Sequence, residues 1–295
     1  MADTQVCPLC GNINTSIAFP VKDHSITKED FILQKCISCN FLFTTPTPDL
    51  ASIGRYYASE DYISHTDSKK GIIEQLYQLV RKRTLAGKRK LINSFIKKQN
   101  GNILDYGCGT GAFLNEMKIN GWNTYGIEPD DGARAKAEQL MGCSLGIPND
   151  LSTLPDAAYD VVTMWHVLEH VHDVNGTIQE LKRVIKENGK LVVAVPNHEA
   201  YDAKFYGSFW AAYDVPRHLH HFTPYTIKTL MEKHGLKLIA KKGMWFDSFY
   251  VSMLSEKYKS GKINYLKAFF IGLISNLFAF SKVEKCSSLI YVISK

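Results

Sequence analysis

Three glycines at alternate positions form the first pattern with chemical content: Gly107, Gly109 and Gly111. They follow an apolar run that ends in Asp105, which is typical of a parallel strand turning sharply into a helix. Glycine permits a tight turn and a close approach of the main chain to a ligand, and the next helix offers unpaired N–H groups. A second apolar strand ends in Glu128, where a carboxylate accepts both hydroxyls of a ribose. The pattern therefore predicts a ribose-containing ligand.

Four of the seven cysteines form two Cys-x-x-Cys pairs: Cys7, Cys10, Cys36 and Cys39. Two such turns complete a tetrahedral zinc site with four thiolate ligands, which is closed and non-catalytic. Gly11 and Asn40 follow the two pairs, at positions that usually need a positive φ. The alternative is a pair of hairpins with free thiols, but so small a unit folds poorly without a bound metal or a disulfide. We therefore expect structural Zn²⁺ here.

Length and composition indicate the number of domains and the class of protein that carries these motifs. The 295 residues are 45% hydrophobic, enough for one large domain and a small one. No stretch is apolar enough to span a bilayer, and the first residues lack the apolar core of a signal peptide. Seven cysteines without an export signal favour bound metal or reduced thiols. We expect a cytoplasmic protein.

The glycine loop continues into further segments that together resemble a known family. The spacing Asp-x-Gly-x-Gly-x-Gly differs from the G-x-G-x-x-G of dinucleotide folds and resembles motif I of class I S-adenosylmethionine-dependent methyltransferases of the small-molecule type. Residues 154–171, 188–197 and 214–236 resemble later segments of that family, so the resemblance covers roughly residues 85–295. The cysteine pairs before it are partly similar to deoxysugar C-methyltransferases, and also to ribosomal-RNA guanine methyltransferases with an N-terminal ribbon.

The resemblance implies an α/β fold. We expect a Rossmann-like, seven-stranded, mostly parallel sheet with an antiparallel last strand, preceded by a zinc ribbon and a helical cap. The expected domains are a ribbon at 1–48, a linker and basic cap at 49–100 and a methyltransferase domain at 101–295. Strands six and seven fall at 236–246 and 287–295, and a helical insertion of about 247–284 separates them.

The resemblance also implies S-adenosyl-L-methionine as the cofactor and a set of residues that bind it. The expected binding residues are Asp105, Tyr106, Gly107, Gly109, Thr110, Gly111, Glu128, Pro129, Asp150, Leu151, Trp165 and His166. The glycine loop would hold the methionine end, Glu128 the ribose, and residues near Asp150 the adenine. Trp165 and His166 would lie beside the methyl group.

A hydroxyl or carbon-acid acceptor must lose a proton during methyl transfer, which requires a positioned base. The candidates cluster in one segment, with His218 first, His221 second and Asp214 as a further catalytic residue. His218-Leu-His220-His221-Phe222 resembles the H-L-x-H-F segment of related small-molecule methyltransferases. A metal site built from the three histidines, or a structural role for them, is the alternative.

Two other segments leave several interpretations open. Residues 66–100 carry ten Lys and Arg against two acidic residues, a net +8 that leaves −2 for the rest of the chain. Two helices joined near Gly87 are expected there. Their basic face is either solvent-exposed without a partner, or it binds an anionic substrate, an anionic membrane or RNA phosphates. The apolar helix from Tyr265 to Phe280 is too short and too polar to span a bilayer. It is a core or lid helix, a homodimer face or an interfacial membrane helix.

The acceptor is the least constrained part of the function. No Asn-Pro-Pro-Tyr or Asp-Pro-Pro-Tyr tetrad follows the fourth strand, where amino-directed nucleic-acid enzymes place it. Tyr201, Tyr206, Trp210 and Tyr213 would suit a small or sugar-like acceptor as an aromatic wall, or they are ordinary packing. We expect O- or C-methylation of a small-molecule, glycan or lipid-linked acceptor. An RNA methyltransferase and a catalytically silent binding module are the alternatives, and peripheral contact with the inner membrane face is compatible with the first.

Overall fold

The computed structural model describes residues 5–57, 72–96 and 100–295, with the backbone alone for 72–80. The described chain forms two compact units. The first unit comprises Met1–Ser59, His166–Thr177 and Ala194–Tyr291. The second unit comprises Glu60–Trp165, Ile178–Val193 and Val292–Lys295.

Strands and helices are numbered in chain order. The strands are β1 (Thr15–Lys22), β2 (Asp30–Cys36), β3 (Leu42–Thr45), β4 (Asn102–Tyr106), β5 (Asn123–Ile127), β6 (Tyr159–Trp165), β7 (Ile185–Pro196), β8 (His220–His221), β9 (Lys237–Gly243) and β10 (Ser288–Ser294). The α-helices are α1 (Ile72–Phe95), α2 (Ala112–Ile119), α3 (Asp131–Met141), α4 (Val174–Val184), α5 (Tyr201–Tyr206), α6 (Pro224–Lys233), α7 (Asp247–Ser260) and α8 (Tyr265–Ser281). Short 3₁₀ helices lie at Ile53–Tyr56, Pro148–Thr153, Leu168–His170, Gly207–Phe209, Ala211–Tyr213 and Val283–Lys285.

The larger sheet confirms the expected α/β fold. Its strand order is β5-β4-β6-β7-β10-β9, and the C-terminal strand β10 runs antiparallel. Strand β4 pairs in parallel with both neighbours, so that Ile103 lies opposite Thr124 of β5 and Val161 of β6. Ile103 and Val161 are fully buried, as apolar residues of a parallel sheet covered on both faces should be.

The prediction of seven strands is wrong: within the described residues this sheet has six. A single parallel bridge between Ile127 and Gly146 occurs where the missing strand would pair with β5. Helix α3 ends at Met141 with Gly142 as its C-cap, and Pro148, which lacks an N–H group, begins a 3₁₀ helix. The Ile147 amide donates to Oδ2 of Asp150, so it is not available to pair with β5.

The expected break near Gly87 is also wrong, because α1 is one continuous helix through that position. A helical glycine costs only about 1 kcal/mol relative to alanine, and the residues around it are mostly strong helix formers. Of the ten predicted basic residues, Lys69, Lys70, Lys97 and Lys98 lie outside the described residues. The Arg89 guanidinium lies 2.8 Å from Oε1 of Glu116 on α2. One of the remaining basic residues is therefore paired within the protein.

The first unit is built on a four-stranded sheet in the order β1-β2-β3-β8. The pairing of β3 with β8 is antiparallel and places Leu42 opposite His221. A buried core joins the side chains of this sheet to those of the 201–215 segment. Its members include Val21, Phe31, Leu33, Leu42, Tyr206, Trp210 and Tyr213. Of the two interpretations of the aromatic residues, packing is therefore the one observed for Tyr206, Trp210 and Tyr213.

Helices α7 and α8 occupy the segment that separates β9 from β10 and pack against each other. A Cβ added at Gly272 of α8 would lie 2.8 Å from a ring carbon of Phe249 and 3.0 Å from its Cα. The absent side chain therefore permits this close approach of the two helices. Among the described residues, no helix combines the length and the apolar character needed to cross a membrane.

Candidate functional site

The glycine loop of the second unit lies between β4 and α2. Gly107, Gly109 and Gly111 have φ values of +77°, +54° and +78°, a region that favours glycine. A Cβ added at Gly111 would lie 3.0 Å from the Cβ of Ala137 on α3. The loop therefore needs glycine both for its backbone conformation and for the packing of α3.

Asp105 is a buried carboxylate at the end of β4. The Thr163 hydroxyl donates a hydrogen bond to its Oδ1 over 2.5 Å. Burial raises the pKa of Asp105 to about 7, and Glu128 acts in the same direction, whereas Thr163 and Lys88 oppose the shift. The loop that follows Asp105 is built from glycines. A ligand bound at this loop would therefore contact main-chain groups, with the Asp105 carboxylate close to them.

Glu128 follows β5 and is buried. The Gly109 amide donates to its Oε2 over 2.7 Å, and the Asp130 amide donates to its Oε1 over 3.0 Å. Burial raises the pKa of Glu128 above its usual range, against the effect of these two amides. Each carboxylate oxygen can accept a further hydrogen bond besides the one from the main chain, so the group can still receive two hydroxyls.

The other predicted cofactor residues of the second unit differ in their surroundings. Tyr106 is buried, Thr110 is half-buried and Pro129 is exposed. The Ile147 amide donates to Oδ2 of Asp150 over 2.8 Å, so this carboxylate caps the 3₁₀ helix in which it lies. Leu151 of the same helix is buried.

Trp165 ends β6 and contacts two residues from distant parts of the second unit. Its ring meets Phe113 edge to face with 5.3 Å between centroids, and the Lys88 ammonium lies 4.1 Å from the Trp165 ring centroid. The indole Nε1 is buried without a hydrogen-bond partner among the described residues. Lys88 is thus a cation beside two predicted cofactor residues, Trp165 and Asp105.

His166 belongs to the first unit and has a φ of +58°, which is unusual for a non-glycine residue. Its Nδ1 lies 3.4 Å from Oε1 of Glu169, and its Nε2 lies 3.3 Å from Oδ2 of Asp247. Burial lowers the pKa of His166, but the two carboxylates outweigh it and raise the pKa to about 9. His166 is therefore a cation at neutral pH, held between two acidic groups.

His218 is buried in the same unit, and its hydrogen bonds define which ring nitrogen carries a proton. Nδ1 lies 2.9 Å from the carbonyl oxygen of Ala212. Because a carbonyl only accepts, Nδ1 must donate, so Nε2 is the nitrogen that carries the lone pair when the ring is neutral. Nε2 lies 4.0 Å from Oδ2 of Asp214. A neutral His218 in this tautomer can accept a proton on the side that faces Asp214.

Asp214 is engaged with Arg217, which is almost completely buried. The Arg217 Nε lies 3.0 Å from Oδ2 of Asp214, and a second guanidinium nitrogen lies 2.6 Å from Oδ1. Burial raises the pKa of Asp214, but Arg217 lowers it below its usual range overall. Asp214 is therefore an anion beside His218.

His221 lies on β8 and is held by the four-stranded sheet. Its Nε2 lies 2.9 Å from the Thr44 hydroxyl, which itself donates to the carbonyl of His218 over 2.7 Å. The Thr44 oxygen must therefore accept from Nε2 of His221. Burial lowers the pKa of His221 well below its usual range. Its geometry is that of a neutral histidine whose Nε2 proton is already used.

Two clusters of metal-ligand atoms occur among residues 5–57, 72–96 and 100–295. One contains Glu169, His170 and His218, and the other contains the four predicted cysteines, Cys7, Cys10, Cys36 and Cys39. His220 and His221 belong to neither, so the three histidines of the 218–221 segment are not grouped as ligands. Glu169 lies in a three-residue 3₁₀ helix, where its carboxylate has no hydrogen bond to the described main chain and faces His166 instead.

The four cysteine sulfurs have the spacing of a tetrahedral metal site. The Sγ atoms of Cys7 and Cys39 lie 3.6 Å apart, as do those of Cys10 and Cys36. Zinc–sulfur bonds of about 2.3 Å place sulfurs roughly 3.8 Å apart in a tetrahedron, whereas a disulfide requires about 2.05 Å. Gly11 and Asn40 have φ values of +76° and +59°, which confirms the predicted positive φ at both positions. The geometry is compatible with zinc.

Sequence reasoning missed two residues that contact predicted site residues: Lys88, which contacts Trp165, and Asp247, which contacts His166. The sequence pattern places Lys88 in the basic segment 66–100 and Asp247 at the start of the helical insertion. Each reaches its partner over about eighty residues of chain, and neither has a motif of its own. Thr163 carried a weaker signal, since it is a polar residue inside the apolar strand β6.

The chain matches a known protein family. Residues 74–241, more than half of the chain, match a family described as a methyltransferase domain.

Curated relatives share about a quarter of their residues with this chain. A ubiquinone biosynthesis O-methyltransferase of Maricaulis maris (strain MCS10) is 25% identical over 181 residues, which are 56% of this chain and 69% of the relative. An uncharacterized methyltransferase of Bacillus cereus (strain ZK / E33L) is 26% identical over 166 residues, 52% of this chain and 78% of the relative.

Solved structures share the fold at low sequence identity. One chain from a complex of the Haloferax volcanii methyltransferase activator Trm112 with a methyltransferase has a TM-score of 0.50 and 13% identity, covering 77% of this chain and 99% of that one. A S-adenosylmethionine-dependent methyltransferase of Archaeoglobus fulgidus has a TM-score of 0.48 and 21% identity, covering 73% and 94%.

Proposed function

Because the chain belongs to the methyltransferase-domain family and is an S-adenosylmethionine-dependent methyltransferase, we propose that its acceptor is a small-molecule, glycan or lipid-linked compound methylated on oxygen or carbon. The observation that carries this proposal is the hydrogen bond from Nδ1 of His218 to the Ala212 carbonyl, which leaves Nε2 as the nitrogen that can take up a proton when the ring is neutral. An acceptor hydroxyl or carbon acid needs such a base. The ubiquinone biosynthesis O-methyltransferase among the relatives supports the same chemistry.

The second unit would bind the cofactor through its glycine loop and Glu128. The main-chain groups of Gly107, Gly109 and Gly111 suit the methionine end, and the buried Glu128 suits the ribose hydroxyls. When bound, S-adenosylmethionine supplies a methyl group already activated on a sulfonium. The loop and Glu128 then act mainly by positioning, which can supply roughly 7–11 kcal/mol of a barrier in favourable cases.

His218 would act as the base through Nε2, with Asp214 stabilising the imidazolium that results. Asp214 suits this supporting role because Arg217 keeps it ionised. His221 is a weaker candidate, since burial lowers its pKa well below the usual range and makes it a poor proton acceptor. A positioned base typically contributes about 10²–10⁴-fold to the rate.

The four cysteines would hold one structural Zn²⁺ in the first unit. The two Sγ–Sγ distances of 3.6 Å support this assignment. Four protein thiolates leave no coordination position for a substrate, so the metal would stabilise the fold and take no part in methyl transfer.

Methyl-labelled S-adenosylmethionine tests the proposed acceptor class. The purified protein is incubated with it and with extract from its own source, and the products are then separated into lipid, low-molecular-weight, glycan and RNA fractions. Label in one of the first three fractions is expected. Label that RNase releases would overturn the proposed acceptor in favour of RNA. No label, together with no thermal stabilisation by S-adenosylhomocysteine, would indicate a catalytically silent module.

A pair of variants tests the base. His218→Gln is expected to lower kcat by about 10²-fold or more while cofactor affinity stays unchanged. His221→Gln serves as the matched comparison, because it removes a buried imidazole from the same segment. Equal turnover in His218→Gln and the unaltered protein would assign the base to another residue.

A further inference from the structure

Helix α8 carries a continuous exposed apolar stripe in the first unit. Six large apolar side chains recur at helical spacings of three and four residues and are 37–86% exposed: Leu266, Phe269, Phe270, Leu273, Leu277 and Phe280. Large exposed apolar surfaces of this kind mark binding surfaces for proteins or membranes. The stripe is not part of the proposed cofactor or acceptor chemistry.

The opposite face of α8 is firmly held, which fixes the direction of the stripe. Ala268, Ile271, Gly272, Ser275 and Ala279 are buried on that face. The Ser275 hydroxyl donates to Oδ1 of Asp202 over 2.6 Å. Asp202 also accepts from Trp210 Nε1 and from the Ser287 hydroxyl. A rotation of α8 that buried the stripe would break these bonds, so the exposed face is a property of the packed helix.

The segment that contains α8 carries a net positive charge. Residues 247–286 contain six lysines and three carboxylates, a net +3. Each carboxylate already has a basic partner: Asp247 pairs with His166, Glu256 with Lys267, and Glu284 with Lys241. Four exposed lysines have no carboxylate partner among the described residues: Lys257, Lys259, Lys262 and Lys282. The first three lie before the start of α8, and Lys282 follows its end.

We propose that α8 lies flat on an anionic lipid bilayer, with the apolar stripe in the interfacial region and the flanking lysines on the lipid headgroups. At 1.5 Å per residue the 17-residue helix is about 25 Å long, shorter than a hydrocarbon core of about 30 Å. A helix that is packed on the protein through one face and exposes apolar and aromatic side chains between basic residues on the other can lie in the plane of the bilayer surface. Trp245 and Phe246, exposed just before α7, add aromatic side chains of the type enriched at bilayer interfaces.

A second copy of the chain fits this surface less well than a membrane does. A two-fold interface places the same patch of each copy against the other. Lysine is depleted from protein interfaces, and here no unpaired carboxylate of the 247–286 segment would offset lysines brought together from both copies. An anionic bilayer instead supplies the missing negative charge. Each lysine near its surface contributes about 1 kcal/mol to the binding free energy, which is about fivefold in affinity.

Co-sedimentation of the full chain with vesicles tests the proposal without reference to activity. Vesicles of phosphatidylcholine with about 30% phosphatidylglycerol should bind the protein at low salt, and pure phosphatidylcholine vesicles should bind it far less. Leu266→Gln/Leu277→Gln/Phe280→Gln removes apolar surface without changing charge, and it should abolish binding. Ile37→Gln/Leu50→Gln/Ile119→Gln is the matched control, since these residues are equally exposed elsewhere.

Charge variants separate the electrostatic part of the binding. Lys257→Gln/Lys259→Gln/Lys262→Gln should weaken binding to the anionic vesicles on the order of a hundredfold. Lys136→Gln/Lys237→Gln/Lys242→Gln removes three exposed lysines from other elements and should leave most of the binding intact. Two results would overturn the proposal: no binding of the unaltered chain to anionic vesicles, or a dimer in analytical ultracentrifugation that the α8 triple variant dissociates.

Discussion

Glu128 accepts main-chain N–H groups with both carboxylate oxygens, so a single substitution there tests the proposed ribose site. Glu128→Gln replaces one acceptor oxygen by an NH₂ group, which must then face the amide of Gly109 or Asp130. We expect the affinity for S-adenosylhomocysteine to fall at least tenfold, since a mismatched buried polar group costs about 1–3 kcal/mol. Isothermal titration calorimetry measures this affinity. The exposed Glu232→Gln is the control, and equal affinities of the two variants would contradict the assignment.

The raised pKa of His166 predicts a pH dependence of stability. An unfolded histidine titrates near 6.5, whereas folded His166 titrates near 9. The folded state therefore binds the proton more tightly, and this stabilisation is complete below pH 6.5 and disappears as the pH rises through 9. Urea unfolding from pH 6 to 9.5 should show the free-energy advantage of the unaltered protein over His166→Gln shrinking across that window. Parallel profiles of the two proteins would rule out the pairing with Asp247 and Glu169.

Residue-level expectations succeeded where a short motif carries its own geometry. The positive φ values at Gly11 and Asn40 follow from the turn that each cysteine pair requires. The contacts of Lys88 with Trp165 and of Asp247 with His166 join residues far apart in the chain. No local pattern encodes such contacts, because they depend on how whole elements pack.

Helix α1 gives a prediction at the scale of one element. A Cβ added at Gly87 meets no atom within 4 Å, and the helix continues through this position without a break. Gly87→Ala is therefore expected to stabilise the protein by about 0.5–1 kcal/mol, because alanine loses less backbone entropy in a helix. Chemical denaturation measures the change. Ala86→Gly, the reverse substitution at the adjacent position, should lower stability by a similar amount. Destabilisation by Gly87→Ala would favour the helix break that we expected from the sequence.

At the element scale, long apolar segments were easier to predict than short ones. The predicted strands at 236–246 and 287–295 correspond to β9 and β10, and β10 contains five consecutive apolar residues, Leu289 to Ile293. The missing strand near Gly146 is expected from the family resemblance alone, and the structure has one bridge there, followed by the 3₁₀ helix that begins at Pro148. The fold class was thus predictable from strand and turn patterns, whereas strand number depended on a few residues between a helix end and a proline.

On the scale of the whole molecule, the cysteine cluster and the histidine segment share one sheet. Cys36 ends β2, β2 pairs with β3, and β3 pairs with β8 at His220 and His221. The Thr44 hydroxyl on β3 also accepts from His221 and donates to the carbonyl of His218. A metal held by the four cysteines would therefore stabilise a sheet that extends to the proposed base.

This connection predicts that loss of the metal also destabilises the histidine segment. With Cys36→Ser, or after chelation, we expect amide hydrogens of β3 and β8 to exchange at least tenfold faster, because structural zinc couples directly to folding. Hydrogen-exchange mass spectrometry measures this, with β4 of the second unit as the internal reference. The exposed Cys143→Ser is the matched control and should change neither strand. Faster exchange confined to residues 5–14 would show that the cysteine cluster stabilises only its own turns, and His218 would then be positioned independently of the metal.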